Sequence, residues 1–188
     1  MDEVVIRSML KWPDVPDVYG WLSLDRRGNW RVRNPGVEGK GQFDPIGNAG
    51  LRQFIARNYA VDERGCWFFQ NGPQRVFVTL AYAPFAFRMG DGTLSDQCGR
   101  RLSSPQGAWL DEEGSLLLSA SGSLGLLDDR DLAAVAEALA EGVFDWGGNT
   151  IPVGRVASAD AEARFGFVRD PKPAIEAPPT AFRDPPIA

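Results

Sequence analysis

Short runs in which apolar and polar residues alternate recur along the chain, most clearly over 19–33 and 75–82. They are punctuated by one repeated pattern, apolar–Asp–x–x–Gly–x–apolar. Its three copies are built on Asp25-Arg26-Arg27-Gly28, Asp62-Glu63-Arg64-Gly65 and Asp111-Glu112-Glu113-Gly114. Alternation at period two reads as half-buried strand, and Asp and Gly between two such runs read as a hairpin tip. Side-chain parity then selects the loop length. A three-residue loop closed by a left-handed Gly opposes Leu24 to Trp30, Ser23 to Arg31 and Leu22 to Val32. That register gathers Leu22, Leu24, Trp30 and Val32 on one face and Ser23, Asp25, Asn29, Arg31 and Arg33 on the other. A four-residue loop would oppose Leu24 to Asn29 and mix the faces. The same register opposes Val61 to Trp67 and Tyr59 to Phe69, then Leu110 to Leu116 and Ala108 to Leu118. Each Asp is expected to accept hydrogen bonds from the loop amides. The copies lie 37 and 49 residues apart, too unequal for a regular array, so shared turn chemistry and duplication both remain open.

Helical spacing marks the other elements. Residues 2–10 suit a short helix with Asp2 as N-cap and Val5 and Met9 on one face. Pro13 and Pro16 then force extended chain. After a Gly-rich loop over 34–47, Leu51, Phe54, Ile55 and Tyr59 form a helical stripe behind an Asn48 N-cap. Asn71-Gly72-Pro73 is a turn, 85–89 a strand ending in the hairpin turn Gly90-Asp91-Gly92, and 95–107 an irregular loop. The clearest helix covers 129–141, capped by Asp128 or Asp129, with Leu132, Val135, Ala136 and Leu139 buried and Gly142 ending it. A strand over 150–156 and a short helix from Ser158 to about Phe165 follow. Six prolines in the last 19 residues exclude helix or central strand from 170 onward, and Ile175 or Phe182 would be the means by which that tail packs. These elements predict an α+β fold of antiparallel hairpins and meanders packed against two or three helices. They divide as an amino-terminal subdomain over 1–95, a second over 96–169 that meets it around 90–105, and a Pro-rich tail over 170–188.

Composition narrows the setting. With 188 residues, 44% hydrophobic, six Trp and eleven Phe, the chain can bury a full core. No apolar run approaches the roughly 20 residues that span a bilayer, and the acidic start Met1-Asp2-Glu3 lacks the basic and apolar regions of a signal peptide. A cytoplasmic location and no membrane partner are expected, with Cys66 and Cys98 reduced. The net charge of −5 hides an asymmetry: residues 1–101 carry 14 Lys/Arg against 11 Asp/Glu, and 102–188 carry 6 against 14. Opposite halves could attract within the fold or between two copies, which allows a homodimer, or they could be solvated faces of opposite sign.

Candidate chemistry is sparse. There is no histidine, so the usual base for a Ser or Cys nucleophile is missing, and two cysteines with no CxxC make a poor zinc set. Asp111-Glu112-Glu113 and Asp128-Asp129-Arg130-Asp131 have structural reasons as a hairpin tip and a helix start, and neither matches a calcium loop. The glycines of 36–41 (with Lys40), 122–125 and 147–150 match no phosphate-binding fingerprint and read as loops. No metal or cofactor is expected, and no catalytic residue is singled out. A carboxylate acid/base pair remains the route to an enzyme. Arg26, Arg27, Arg31 and Arg33 beside Trp21 could grip a nucleic acid. An acidic chain lacks the usual electrostatic footprint, however, and an Arg33–Trp21 cation–π pair would account for the arrangement without a ligand. The leading expectation is a non-catalytic binding or adaptor protein for an unknown protein or small molecule, using Trp21, Arg31, Arg33, Tyr19 and Trp12. Phe68 and Trp109 are further aromatics off the main apolar face; the alternative for all of them is a second layer of core.

Two stretches also carry a resemblance. Lys11-Trp12-Pro13-Asp14-Val15-Pro16, followed by Tyr19-Gly20-Trp21-Leu22-Ser23-Leu24-Asp25, and Phe54-Ile55-Ala56-Arg57-Asn58-Tyr59, leading to Trp67-Phe68-Phe69-Gln70-Asn71-Gly72-Pro73, resemble an uncharacterised family of proteobacterial proteins of unknown function. The likeness covers roughly the first 85 residues. It implies a bacterial cytosolic origin and no activity, cofactor or catalytic residue.

Overall fold

The structure, a computed structural model, describes residues 1–34 and 42–173. The glycines and Lys40 of 36–41, and Ile175 and Phe182, lie outside the described residues. Among the described residues, two mixed sheets and four α-helices make an α+β fold. The first sheet holds β1 (Val18–Leu24), β2 (Trp30–Arg33), β3 (Phe43–Pro45), β4 (Tyr59–Val61), β5 (Trp67–Asn71) and β6 (Gln74–Leu80), in the order β3-β2-β1-β6-β5-β4. The second holds β7 (Phe85–Gly90), β8 (Thr93–Asp96), β9 (Arg101–Leu102), β10 (Gly107–Leu110), β11 (Leu116–Ala120), β12 (Ser123–Leu127), β13 (Val143–Trp146) and β14 (Asn149–Arg155). Its order is β13-β14-β10-β11-β12-β7-β8-β9. The helices are α1 (Glu3–Lys11), α2 (Ala49–Arg57), α3 (Leu132–Ala140) and α4 (Ala161–Phe165).

The hairpin registers are those that parity requires: Leu24↔Trp30 and Leu22↔Val32, Val61↔Trp67 and Tyr59↔Phe69, Leu110↔Leu116 and Ala108↔Leu118. At each tip one carboxylate oxygen accepts two loop amides. Asp25 takes those of Arg27 and Asn29 at 3.0 and 2.9 Å, Asp62 those of Arg64 and Cys66 at 2.9 Å, and Asp111 those of Glu113 and Ser115 at 2.9 and 2.7 Å. A fourth copy joins β8 to β9. Asp96 accepts from Cys98 and Arg100 at 2.9 and 3.0 Å, and Gly99 is left-handed like Gly28, Gly65 and Gly114. Residues 95–107 therefore contain a hairpin rather than an irregular loop.

Three parallel pairs, β1 with β6, β7 with β12 and β10 with β14, tie the hairpins together. Parallel neighbours need long crossovers, so no local turn signal announces them. The two sheets share a core in which Leu22, Leu24, Trp30, Val78 and Leu80 meet Leu117, Leu126, Val156 and Phe167. A second cluster packs Phe85, Phe87, Leu116, Leu118 and Leu127 with Val135 of α3.

Several expectations change at the edges of this frame. Val32 and Val61 pair as predicted yet stay exposed, because β2 lies next to the edge strand β3 and β4 is itself an edge. Tyr59 belongs to β4 rather than to the α2 stripe, Leu51 is exposed, and only Ile55 of that helix is fully buried. Asn48 does cap α2, accepting from the Leu51 amide at 2.9 Å. Asp2 does not cap α1 with its side chain; the carboxylate is taken by Arg57 at 3.2 Å and Asn58 at 3.3 Å. The N-cap position of α3 is Asp131 rather than Asp128 or Asp129, and its carboxylate is drawn off to the Met89 amide and Arg88 at 2.8 and 2.9 Å. Ala136 on α3 is exposed. Of the expected Gly-rich loops, Ser123–Gly125 and Asn149–Thr150 are strand, and only Ser121-Gly122 and Gly147-Gly148 are turns.

Candidate functional site

Four of the expected surface residues lie on the first sheet, Tyr19 and Trp21 on β1 and Arg31 and Arg33 on β2. Strand β1 carries a register shift against β6 between Val18 and Leu22, and Gly20 within it has φ +72. Extra residues of this kind bend a strand and re-aim its side chains. Tyr19 stacks on Phe77, with centroids 4.5 Å apart and planes 2° from parallel, while Trp21 is left 45% exposed. The Arg33 guanidinium stands beside this bulge, 4.0 Å from where a Cβ on Gly20 would sit. Arg31 donates to the Phe43 carbonyl at 2.7 Å and lies 3.8 Å from Asp25. Trp12, at the end of α1, is 50% exposed with Lys11 above its ring. None of the cation–π contacts among the described residues joins Arg33 to Trp21. Phe68 is buried under Arg75, and Trp109 packs edge-on against Phe165, so those two aromatics are second-layer core.

The other two arginines of the first hairpin turn into the seam between the sheets. Arg26 reaches Ser115 at 2.6 Å and Glu113 at 3.6 Å, and its guanidinium lies 4.6 Å from the centre of the Tyr82 ring. Arg27 forms a bidentate pair with Asp129 at 2.8 and 2.9 Å. Beneath them Tyr82 donates to the buried Asp111 carboxylate at 2.5 Å, and Arg169 lies 4.6 Å from the same ring while donating to the Tyr82 carbonyl at 3.0 Å. Burial, and then the Asp111 charge, push the Tyr82 hydroxyl up. Burial acts on Asp111 in the same sense, but donors from Tyr82 and Ser115 outweigh it and hold the carboxyl below its ordinary value. Asp128 lies 2.6 Å from Arg130; that bond overcomes burial and lowers its pKa to about 2. A cleft of about 570 Å³ opens over Leu126, Leu127 and Leu132, and each charged group on its rim, Asp25, Arg26, Arg27, Glu113 and Asp129, has an opposite partner.

On the far side of the first tip lies a cleft of different character. It encloses about 640 Å³ between Asn29-Trp30, the amino end of α2 and the Gln97-Cys98-Gly99 turn. Arg52 and Arg57 line it, and no carboxylate does among the described residues. It adjoins a third cleft of about 690 Å³ through Ala56, Arg57 and Cys98. There Tyr59 and Trp67 each meet Phe85 edge to face and tilt against one another, and Arg100 covers Phe85. Burial, and then Asp96, push the Cys98 thiol up to about 12, which disfavours the nucleophilic thiolate. No group of three or more His, Cys, Asp or Glu side chains is placed to hold a metal ion among the described residues, and no helix there is long and apolar enough to cross a membrane. The sequence reading missed Arg52, Tyr82, Arg100 and Arg169. The fourth Asp–x–x–Gly would have pointed to Arg100, since the other three tips also place an ion-pairing or ring-contacting residue beside the turn.

Fold and surface together define a two-sheet α+β protein with charged, aromatic-walled clefts along its seam. The chain belongs to the family described as "Protein of unknown function (DUF2946)", whose model matches residues 1–172. No curated protein matches it. Among solved structures it is similar to a DUF1285 family protein from Silicibacter pomeroyi DSS-3, at 12% identity and TM-score 0.48 over 79% of this chain and 87% of that one. It is also similar to a DUF1285 family protein from Shewanella baltica OS155, at 16% identity and TM-score 0.42 over 62% and 90%.

Proposed function

We propose that this is a non-catalytic binding or adaptor protein of the proteobacterial cytoplasm, and that its partner surface is the outward face of the first sheet around Trp21, Arg33, Arg31, Tyr19 and Trp12. The observation that carries this reading is the bulge at Gly20, which holds Trp21 out to solvent beside Arg33. A half-exposed Trp next to a guanidinium with no carboxylate partner among the described residues is a combination suited to anchoring an acidic segment of another protein. Nucleic acid is less well supported, because Arg26 and Arg27 are spent on Glu113 and Asp129. An acid/base enzyme requires one carboxyl held near neutral pH. Among the described residues Asp2, Asp62, Asp111, Glu112, Asp128 and Asp129 are all displaced downward.

The test is affinity capture from the native host with the wild-type chain and with Trp21→Ala/Arg33→Gln. A protein retained by the wild type and lost with the double variant is the expected result. Identical captured sets would overturn this surface assignment.

A further inference from the structure

We propose that the cleft between Asn29-Trp30, α2 and the Gln97-Cys98-Gly99 turn is a binding site for a small organic anion, its carboxylate or phosphate held by Arg52 and its body lying against Trp30 and Ile46. The site is separate from the outward sheet face, and its volume of about 640 Å³ falls within the range of small-molecule sites.

Three observations converge on an anion. The first is charge. Two arginines line the cleft and no carboxylate does among the described residues. Arg57 is matched by Asp2 at 3.2 Å, but Arg52 has no such partner. Arg52 donates only through Nη1, to the carbonyls of Ile46 and Gly47 at 3.1 and 3.4 Å. Those bonds orient the guanidinium and leave Nε and Nη2 for a bidentate ligand. The second is the amino end of the nine-residue helix α2. Gly47 and Ala49 are in the wall, and the Asn48 cap takes up the Leu51 amide, so the first-turn amides of Ala49 and Gly50 remain as donors. The third is Trp30. It is only 2% exposed, it belongs to the cleft wall, and its indole N–H is buried with no acceptor. An unmet buried donor is destabilising, and an acceptor that reached it from the cleft would remove that cost. Ile46, Pro45, Ala49 and Ala56 supply apolar surface for a ring or short chain.

The experiment follows the indole cross-peaks of the full chain in a ¹⁵N–¹H correlation spectrum, with Trp30 assigned by triple resonance. Inorganic phosphate, benzoate and adenosine monophosphate are titrated separately. Expected is a saturable shift of the Trp30 indole with at least one probe. Arg52→Gln should weaken it roughly tenfold or more, as the loss of one charge-assisted pair requires, whereas Arg101→Gln, an equal loss of charge outside the cleft, should not. Response to phosphate and the nucleotide would identify a phosphate ligand, and response to benzoate alone a carboxylate. Silence toward all three probes at millimolar concentration overturns the proposal, as does equal weakening by Arg101→Gln. Trp21→Ala should leave the titration unchanged, so failure here and failure of the outward-face reading are distinguishable.

Discussion

Four turns of one chemistry, set in four different surroundings, allow the backbone cost of a left-handed residue to be separated from the cost of packing. Gly28, Gly65, Gly99 and Gly114 have φ of 80, 79, 78 and 82, so alanine at each meets the same conformational penalty. That penalty is about 1–2 kcal/mol, reduced by roughly half a kcal/mol through the stiffer unfolded chain. What differs is the space a Cβ would enter. At Gly114 and Gly99 nothing lies within 4 Å. At Gly65 the Cβ would stand 2.5 Å from the Gly166 carbonyl oxygen and 3.1 Å from Phe167 Cα, which are backbone atoms. They are held by the bond from the Val168 amide to the Gly65 carbonyl at 3.0 Å. At Gly28 it would stand 2.7 Å from Gln97 Cβ and 3.0 Å from Ala86 Cβ. Overpacking of this kind adds about 1–3 kcal/mol. Gly114→Ala and Gly99→Ala should therefore cost about 1 kcal/mol each, Gly28→Ala about 2–3 and Gly65→Ala about 3–4. Urea denaturation, read as a change of midpoint at constant slope, measures all four. Asparagine sharpens the comparison, because it tolerates the left-handed region but carries a Cβ. Gly114→Asn should be nearly neutral, while Gly65→Asn should remain severe. Equal costs at Gly65 and Gly114 would refute the packing of the second tip against 166–168.

Two further perturbations address the seam. The folded pKa of Asp128 is lowered from 3.8 to about 2, so its contribution, about 2 kcal/mol at a rate of about 1.4 kcal/mol per pKa unit, is fully present above pH 4 and lost as pH falls from there toward 2. Asp128→Asn should flatten that part of the stability–pH curve, and an unchanged acid limb would count against the Asp128–Arg130 pair. Tyr82→Phe and Asp111→Asn each remove one partner of a buried hydrogen bond and should cost about 1–3 kcal/mol. The double variant should cost less than the two together, and strict additivity in a thermal or urea cycle would show that the pair is not coupled.

The parts of the fold that were legible from sequence are those whose information is local. Leu24 opposite Trp30, Val61 opposite Trp67 and Leu110 opposite Leu116 follow from turn residues and period two, and both signals lie within a dozen residues. The fourth tip was hidden only because Ser95 and Arg101 stand where the pattern asks for apolar residues. Its apolar pair, Leu94↔Leu102, sits one position further out. The parallel contacts β1·β6 and β10·β14 join segments about 40 to 60 residues apart, and no turn chemistry specifies which strands meet there. Once those pairings are lost from view, so is the knowledge that Val32 and Val61 lie toward the sheet margins, or that Asp131 would be called away from α3 to the Met89 amide. The clefts are a further step removed. Each is walled by at least two segments far apart in sequence, and Arg52 reads in sequence as one solvated helix residue among many.

The charge asymmetry between the two halves of the chain resolves at this level. Much of the excess of the basic half is used within the fold: Arg26 on Glu113, Arg27 on Asp129, and Arg88 on Asp131 at 2.9 Å and Asp128 at 3.6 Å. The two exposed pairs, Arg26–Glu113 and Arg27–Asp129, contribute about 0–1 kcal/mol each, so their main effect is positional. They fix the first hairpin tip against the third tip and the start of α3, across the 570 Å³ cleft that all four side chains line. A bidentate pair such as Arg27–Asp129 also commits the Nε/Nη2 edge that would otherwise face a ligand. The two proposed sites draw on arginines that the fold leaves without a carboxylate among the described residues, Arg33 near Trp21 and Arg52 beside Trp30. Gross charge points to the whole basic half, whereas subtracting the internal pairs leaves Arg33, Arg52, Arg75 and Arg101 without a carboxylate among the described residues, and of these Arg75 lies over the Phe68 ring. If the seam pairs were instead weak enough to open, Arg26 and Arg27 would join Arg31 and Arg33 on one basic ribbon, and raising salt would loosen the seam and increase anion binding at the hairpin. With the pairs closed, the two proposed sites predict the opposite, anion binding that weakens as salt rises.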